Sequence, residues 1–167
     1  MISDRVLSEL SEQTGKELLR LQRQVTAAES CTGGWIAKVF TDISGSSAWF
    51  ERGFVTYSNE AKQQMLGVSA ASLNTFGAVS EAVVREMASG ALAAAHADYA
   101  ISVSGIAGPD GGTQEKPVGT VWFGFASAAG EVAAISQHFQ GDRDAVRRQS
   151  VAFSLNYLLN EFLKNSA

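Results

Sequence analysis

Apolar residues recur at helical spacing in two long segments of the chain. The first stripe consists of Val6, Leu7, Leu10, Leu18 and Leu19. Because Ser3 and Asp4 precede this stripe, and both residue types are common at helix starts, the spacing predicts an amphipathic helix over residues 4 to 22. A second stripe, from Val83 to Ala95, follows Ser80 and predicts a longer helix.

Runs rich in β-branched and aromatic residues predict strands between the helices. The runs are VTAAE (25–29), AWFERGFVTY (48–57), YAISVSG (99–105), VGTVWFGFAS (118–127) and EVAAISQHFQ (131–140). Ala129 and Gly130 separate the last two runs and favour a hairpin turn. Further helices are predicted from Thr32 to Thr41, from Ser58 or Asn59 to Gly67, and after Asp142 as a cap. We interpret residues 68 to 79 as a linker.

The alternation of strands and helices predicts an α/β sandwich built on a mainly parallel sheet. A hairpin joins antiparallel strands, so one strand must run against the others. The length of 167 residues fits a single domain, which we place at residues 1–167.

Composition and charge narrow the classes of function. The formal net charge of −4 argues against a general binder of nucleic acid. A single cysteine excludes an internal disulfide framework, and the sequence shows no long apolar run and no basic-then-apolar leader, which predicts a cytoplasmic protein without a membrane partner. Two histidines and one cysteine are too few for the usual zinc or iron sites, so we expect chemistry without a metal or cofactor.

Four polar stretches follow predicted strands, and a fifth, KPVGT, leads into the reversed strand. They are ESCTGG, YSNEAK, SGIAGPDGG, KPVGT and GDRDAVRR. In a parallel sheet, the loops that lead from a strand to the next helix lie at the carboxyl edge, where α/β proteins bind their ligands. We therefore expect these stretches to become neighbours in the fold.

The first of these stretches holds a candidate nucleophile, Ser30. A serine hydroxyl needs a base within hydrogen-bond reach and donors for the developing oxyanion. The N–H groups of Thr32, Gly33 and Gly34 open the next helix and could supply the donors. The candidate base is Lys62, because burial near a helix start favours the neutral amine.

Both assignments have an alternative in the sequence. Lys62 is equally compatible with a solvated lysine on a helix surface. Cys31 competes with Ser30, since a thiol at a helix start ionises more easily, although free cysteines are commonly buried as small apolar residues. Side chains alternate along a strand, so we expect only one of the two to face the site, and we favour the serine.

Two arginines and a tyrosine complete the candidate chemistry. Arg143 and Arg147 lie four residues apart, which allows them to share a helical face and grip a phosphate; the alternative is surface ion pairs with Asp142 or Asp144. Tyr57 could donate to a substrate or position the lysine, although an aromatic strand residue more often packs in the core.

Six motifs carry a resemblance to a known family. In chain order they are TAAESCTGG, GFVTYSNEAK, GAVSE, SGIAGPDGG, KPVGTVWF and GDRDAVRR. Together they resemble the CinA C-terminal-domain family over nearly the whole chain, and more narrowly its stand-alone nicotinamide mononucleotide deamidases. The resemblance implies a three-layer α/β/α sandwich around a mixed, mainly parallel five-stranded sheet with one antiparallel strand. It also implies a Ser/Lys amidohydrolase of NAD recycling, with Ser30, Lys62 and Tyr57 at the catalytic positions.

Two functional hypotheses follow. The first is an enzyme that converts nicotinamide mononucleotide to nicotinate mononucleotide and ammonia, and the second is a non-catalytic nucleotide-binding module that acts through a protein partner. Substrate contacts are predicted at Thr32, Gly33, Gly34, Ser47, Asn59, Ser104, Gly105, Arg143 and Arg147. We expect a homo-oligomer, in the simplest case a dimer, because a small α/β domain leaves apolar residues exposed.

Overall fold

The computed structural model describes residues 1–164 of the chain. Its strands are β1 (Val25–Glu29), β2 (Phe54–Val55), β3 (Tyr99–Gly105), β4 (Thr120–Ser127) and β5 (Val132–His138). Its helices are α1 (Asp4–Leu21), α2 (Trp35–Thr41), α3 (Asn59–Leu66), α4 (Ala70–Phe76), α5 (Glu81–Ala95) and α6 (Arg143–Tyr157). A short 3-10 segment covers Ser46–Ala48, and a π-helical segment, Leu158–Leu163, continues α6.

The strands form one five-stranded sheet in the order β2-β1-β3-β4-β5. β1 is parallel to both β2 and β3, whereas β4 is antiparallel to both of its neighbours. The tight β4–β5 turn accounts for the antiparallel pairing of these two strands, and in it the N–H of Ser127 donates to the carbonyl of Glu131 at 2.9 Å. The predicted mixed sheet with one antiparallel strand is therefore confirmed.

Helices cover both faces of this sheet. On one face, α1, α2 and α6 bury Leu18, Phe40 and Leu155 in the larger core. On the other face, α5 lies directly on the strands, with α3 and α4 packed beside it. The approach of α5 is close, since a Cβ atom at Gly124 would lie 2.3 Å from the carbonyl oxygen of Val84. The result is the expected three-layer α/β/α sandwich.

Side-chain caps fix the starts of most helices where the sequence predicts them. The capping bonds run from Val6 N–H to Ser3, from Ala61 N–H to Ser58, from Val83 N–H to Ser80 and from Ala145 N–H to Asp142. Each such cap contributes about 1 kcal/mol. Within residues 1–164, no helix combines the length and the apolar character needed to cross a bilayer.

The second predicted strand is much shorter than expected. Only Phe54 and Val55 pair with β1, and Phe50 makes a single isolated bridge to Val25. Trp49 and Phe50 instead pack their rings against Phe40, each with centroids 5.3 Å apart. The aromatic residues that suggested a strand therefore serve the core from an irregular loop.

One helix prediction and the linker interpretation also need correction. The helix expected from Thr32 begins only at Trp35, because Gly33 and Gly34 adopt left-handed conformations with φ of 59° and 100°. The segment interpreted as a linker contains α4, whose start is capped by Ser69.

Candidate active site

An open cavity of about 350 Å³ lies at the carboxyl edge of β1, β2 and β3. Its walls come from four of the predicted polar stretches: the turn after β1, the start of α3, the glycine-rich loop after β3 and the start of α6. Seven candidate residues line it, namely Ser30, Tyr57, Asn59, Lys62, Ser104, Gly105 and Arg143. The topology thus assembles residues that are far apart in the chain.

Ser30 and Lys62 are in direct contact at the base of this cavity. The Nζ atom of Lys62 donates to Ser30 Oγ at 3.0 Å and to the carbonyl oxygen of Thr56 at 2.9 Å. Only 1% of Lys62 is exposed, so the alternative of a solvated surface lysine is wrong. A buried amine with a serine hydroxyl as its partner has the geometry of a nucleophile and its general base.

The surroundings of Lys62 favour the neutral amine. Burial lowers the pKa of Lys62 below the ordinary lysine value, because it penalises the charged ammonium form. The nearby Cys31 sulfur acts in the opposite direction and is the smaller influence. A lowered pKa is what a lysine requires to accept a proton from serine near neutral pH.

Cys31 also lines the cavity, contrary to the expectation that only one of the two neighbours would face it. The alternation of side chains ends with β1 at Glu29, and residues 30–34 form a turn. Burial raises the pKa of the Cys31 thiol to about 12, which keeps the sulfur protonated. The thiol is therefore a poor nucleophile in this environment.

Glu29 lies beside the candidate nucleophile and was not among the residues predicted for the site. Its carboxylate accepts hydrogen bonds from Thr32 Oγ1 at 2.6 Å, Ile36 N–H at 2.8 Å and Ala37 N–H at 3.0 Å. The side chain is 1% exposed, and burial raises the pKa of the carboxyl group. Glu29 caps α2 because Gly34, at the N-cap position, has no side chain to do so. An acidic residue shortly before a predicted helix was the available clue.

Two of the four N–H groups in residues 31–34, the turn after Ser30, are bonded within the protein. Gly33 donates to the carbonyl of Ser30 at 3.1 Å, and Gly34 donates to the Glu29 carboxylate. Thr32, Gly33 and Gly34 do not line the cavity, so their predicted role as substrate contacts is not supported. Over residues 30–37, the N–H groups of Cys31 and Thr32 have no acceptor in the described part of the chain.

The two arginines of α6 diverge instead of forming one clamp. Arg143 lines the cavity and donates to the carbonyl of Gly108 at 2.7 Å and to the Tyr57 hydroxyl at 3.1 Å. Arg147 lies outside the cavity and donates to the carbonyls of Cys31 at 3.0 Å and Thr32 at 3.1 Å. The alternative of surface ion pairs with Asp144 does not hold for Arg143 or Arg147 either, because Asp144 pairs with Arg148.

Ser47 lies away from the cavity, and Tyr57 lines the cavity without a bond to the lysine. Ser47 is two residues before Trp49, whose carbonyl accepts from Val25 N–H at the start of β1, which places Ser47 near the opposite edge of the sheet from the cavity. Tyr57 is 63% exposed at the rim. Among residues 1–164, its hydroxyl accepts a hydrogen bond from Arg143, and neither Ser30 nor Lys62 bonds to it.

The charged side chains on the cavity wall, among residues 1–164, are Lys62, Asp110 and Arg143. Over the same residues, no group of three or more His, Cys, Asp or Glu side chains is placed to hold a metal ion. The cavity therefore offers one cation, one anion and a buried amine to a ligand.

Curated relatives match nearly the whole chain. The nicotinamide-nucleotide amidohydrolase PncC of Escherichia coli strain K12 is 64% identical over 165 residues, covering 99% of this chain and all of the relative. The enzyme of the same name from Pseudomonas putida is 50% identical and covers 92% of this chain and 95% of its own.

Solved structures share the fold. The competence damage-inducible protein A (ComA) of Klebsiella pneumoniae superposes with a TM-score of 0.92 at 40% identity, covering 96% of this chain and 99% of that one. The competence/damage inducible protein CihA of Agrobacterium tumefaciens gives a TM-score of 0.91 at 43% identity, covering 96% of this chain and 98% of that one. The profile of the CinA C-terminal domain matches residues 7–162. The chain belongs to the CinA C-terminal domain family.

Proposed function

We propose that the chain is an amidohydrolase that converts nicotinamide mononucleotide to nicotinate mononucleotide and ammonia. The observation that carries the proposal is the 3.0 Å contact between Lys62 Nζ and Ser30 Oγ inside the cavity. The names of the relatives that match the whole chain support the substrate, and the product would return to NAD synthesis. A module that only binds a nucleotide has no need of a buried amine on a serine, so this contact favours the enzyme.

The first half of the reaction acylates the serine. Ser30 Oγ attacks the carboxamide carbon while Lys62, as the neutral amine, accepts the hydroxyl proton. The oxyanion of the tetrahedral intermediate accepts a hydrogen bond from the N–H of Cys31, a residue of the turn that lines the cavity. Collapse of the intermediate breaks the carbon–nitrogen bond, and the Lys62 ammonium gives its proton to the departing nitrogen, which leaves as ammonia.

The second half releases the product. Lys62 is again a neutral amine and accepts a proton from a water molecule that attacks the acyl carbon of the ester. When this intermediate collapses, Lys62 gives the proton to Ser30 Oγ, and nicotinate mononucleotide forms as the carboxylic acid, which loses its remaining proton to solvent and leaves as the carboxylate. One water molecule is consumed and both residues regain their starting protonation states.

Arg143 is the side chain best placed to bind the substrate phosphate. It holds Gly108 and Tyr57 with its two Nη atoms, which fixes the guanidinium at the rim. A guanidinium has five N–H donors, so donors remain for a phosphate after these two bonds. The glycine-rich loop beside it lets a ligand approach the backbone closely.

The direct test is ammonia release by the purified chain from nicotinamide mononucleotide, compared with free nicotinamide. We expect turnover of the mononucleotide and a far lower kcat/KM for free nicotinamide, because the smaller amide lacks the ribose phosphate that binding to Arg143 requires. Tight binding of the mononucleotide without ammonia release would instead support the binding-module hypothesis.

Arg143→Ala is expected to raise KM for the mononucleotide by about ten- to a hundredfold with little change in kcat, because a charge-assisted contact to phosphate stabilises substrate and transition state alike. Steady-state kinetics of ammonia release measure both constants. Arg148→Ala is the matched control, since Arg148 lies on the same helix and does not line the cavity. An unchanged KM in Arg143→Ala would mean that the phosphate is held elsewhere.

A further inference from the structure

Two charged side chains that the reaction does not use both bind the turn carrying Ser30. Arg147 donates to the carbonyl oxygens of Cys31 and Thr32, whereas Glu29 accepts from the hydroxyl of Thr32 and from the first N–H groups of α2. Arg147 thus binds two carbonyl acceptors of the turn, while Glu29 binds the Thr32 hydroxyl of the turn and the start of the helix that follows it.

Arg147 ties the turn to α6, more than a hundred residues further along the chain. Its guanidinium carbon lies 5.3 Å from the centre of the Trp35 ring, so the aromatic face supports the charged group from α2. Donation to two successive carbonyls fixes the orientation of two peptide planes. Because N–H and C=O point in opposite directions across a trans peptide, the N–H of Thr32 points away from Arg147.

Glu29 connects the turn to the lysine through the backbone. It is the residue before Ser30, and its own carbonyl accepts from Thr56 N–H at 2.8 Å. The carbonyl of Thr56 in turn accepts from Lys62 Nζ. A continuous path of covalent and hydrogen bonds therefore runs from the carboxylate to both members of the Ser30–Lys62 pair.

We infer that Glu29 and Arg147 are positioning residues that hold Ser30 Oγ in reach of Lys62 Nζ. The inference rests on the proposed function. The turn needs external support because Gly33 and Gly34 in succession give its backbone unusual conformational freedom. A displacement of a reacting atom by about 1 Å costs on the order of a hundredfold in rate, so loss of either contact affects the chemical step.

The test compares Glu29→Gln and Arg147→Lys with Arg148→Lys. Gln is close in shape to Glu but carries an amide N–H₂ where an oxygen now accepts, and Lys cannot donate to two carbonyls from a planar fork. Arg148 is the matched control, because it also lies over Trp35, at 4.9 Å, but pairs with Asp4 and Asp144 instead of the turn.

Glu29→Gln and Arg147→Lys are expected to lower kcat by about ten- to a hundredfold while KM for the mononucleotide stays near the wild-type value. The rate at which a fluorophosphonate labels Ser30, followed by mass spectrometry, is expected to fall in parallel. Arg148→Lys should match the wild type in both measurements. Wild-type kcat in both test variants, or a raised KM with unchanged kcat in Arg147→Lys, would overturn the inference.

Two further comparisons separate positioning from other causes. Val39→Ala removes core packing from α2 without touching the turn, and we expect it to lower the melting temperature but keep the labelling rate. If Val39→Ala loses labelling as Glu29→Gln does, the effect is helix stability and the inference fails. If the wild type is labelled but releases no ammonia from the mononucleotide, the proposed function fails, and the labelling rates still decide the roles of Glu29 and Arg147.

Discussion

Ser30→Ala is expected to reduce kcat for ammonia release by roughly a thousandfold or more, because it removes the atom that forms the bond to the substrate. Ser30 lies at the base of the cavity and is small, so the substitution leaves the fold and the rim contacts in place. The Kd for nicotinamide mononucleotide, measured by calorimetry on the inactive variant, should remain close to the wild-type KM.

Cys31→Ala is the matched control for this experiment. The thiol lines the same cavity on the next residue, but burial raises its pKa to about 12 and keeps it protonated. We expect only a mild loss of kcat. A dead Cys31→Ala variant beside a Ser30→Ala variant that still turns over would reverse the assignment of the nucleophile.

Lys62→Met is expected to lose kcat to a similar extent as Ser30→Ala. Methionine fills much of the volume of the buried lysine side chain but has no group that accepts a proton. In the wild type, the same base requirement predicts that kcat/KM rises with pH through an ionisation below the free-lysine value of about 10.4, because burial lowers the pKa of Lys62. A pH profile that shows no such ionisation would contradict the role of the lysine as base.

Lys62→Met is also expected to raise the melting temperature of the protein near neutral pH. At pH values below the folded-state pKa of Lys62, the lysine is protonated in both the folded and the unfolded state. The folded protein then bears the full free-energy cost of burying an ammonium group. Between the lowered folded-state pKa and about 10.4, the unfolded chain binds more protons, so the free energy of unfolding of the wild type increases with pH. The advantage of Lys62→Met should therefore shrink as pH rises through that window, which thermal melts at several pH values measure.

Local patterns were sufficient for most of the fold. β1, β3 and the β4–β5 hairpin were predicted within a residue or two of their bounds, because each is a run of strand-forming residues ended by a clear turn. The predicted length of the second strand was wrong for a physical reason. Trp49 and Phe50 are apolar because they fill the core against Phe40, and no local pattern distinguishes that use from a strand.

The candidate site was predictable in its members but less so in its contacts. The rule that loops at the carboxyl edge converge was enough to place Ser30, Lys62 and Arg143 around one cavity. Helical spacing could not show that Arg147 turns towards the carbonyls of the Ser30 turn, since this depends on where α6 packs against Trp35. Ser47 was misplaced because its distance from the carboxyl edge is set by the irregular loop before β2.

The kcat of the double variant Ser30→Ala/Lys62→Met, measured beside both single variants, tests the central claim most directly. If nucleophile and base act as one unit through their 3.0 Å contact, losing either residue already abolishes the catalysis that both provide. The kcat of the double variant should then be at most slightly lower than that of either single variant. Losses that multiply in the double variant would show that Ser30 and Lys62 act independently and would contradict the Ser/Lys mechanism.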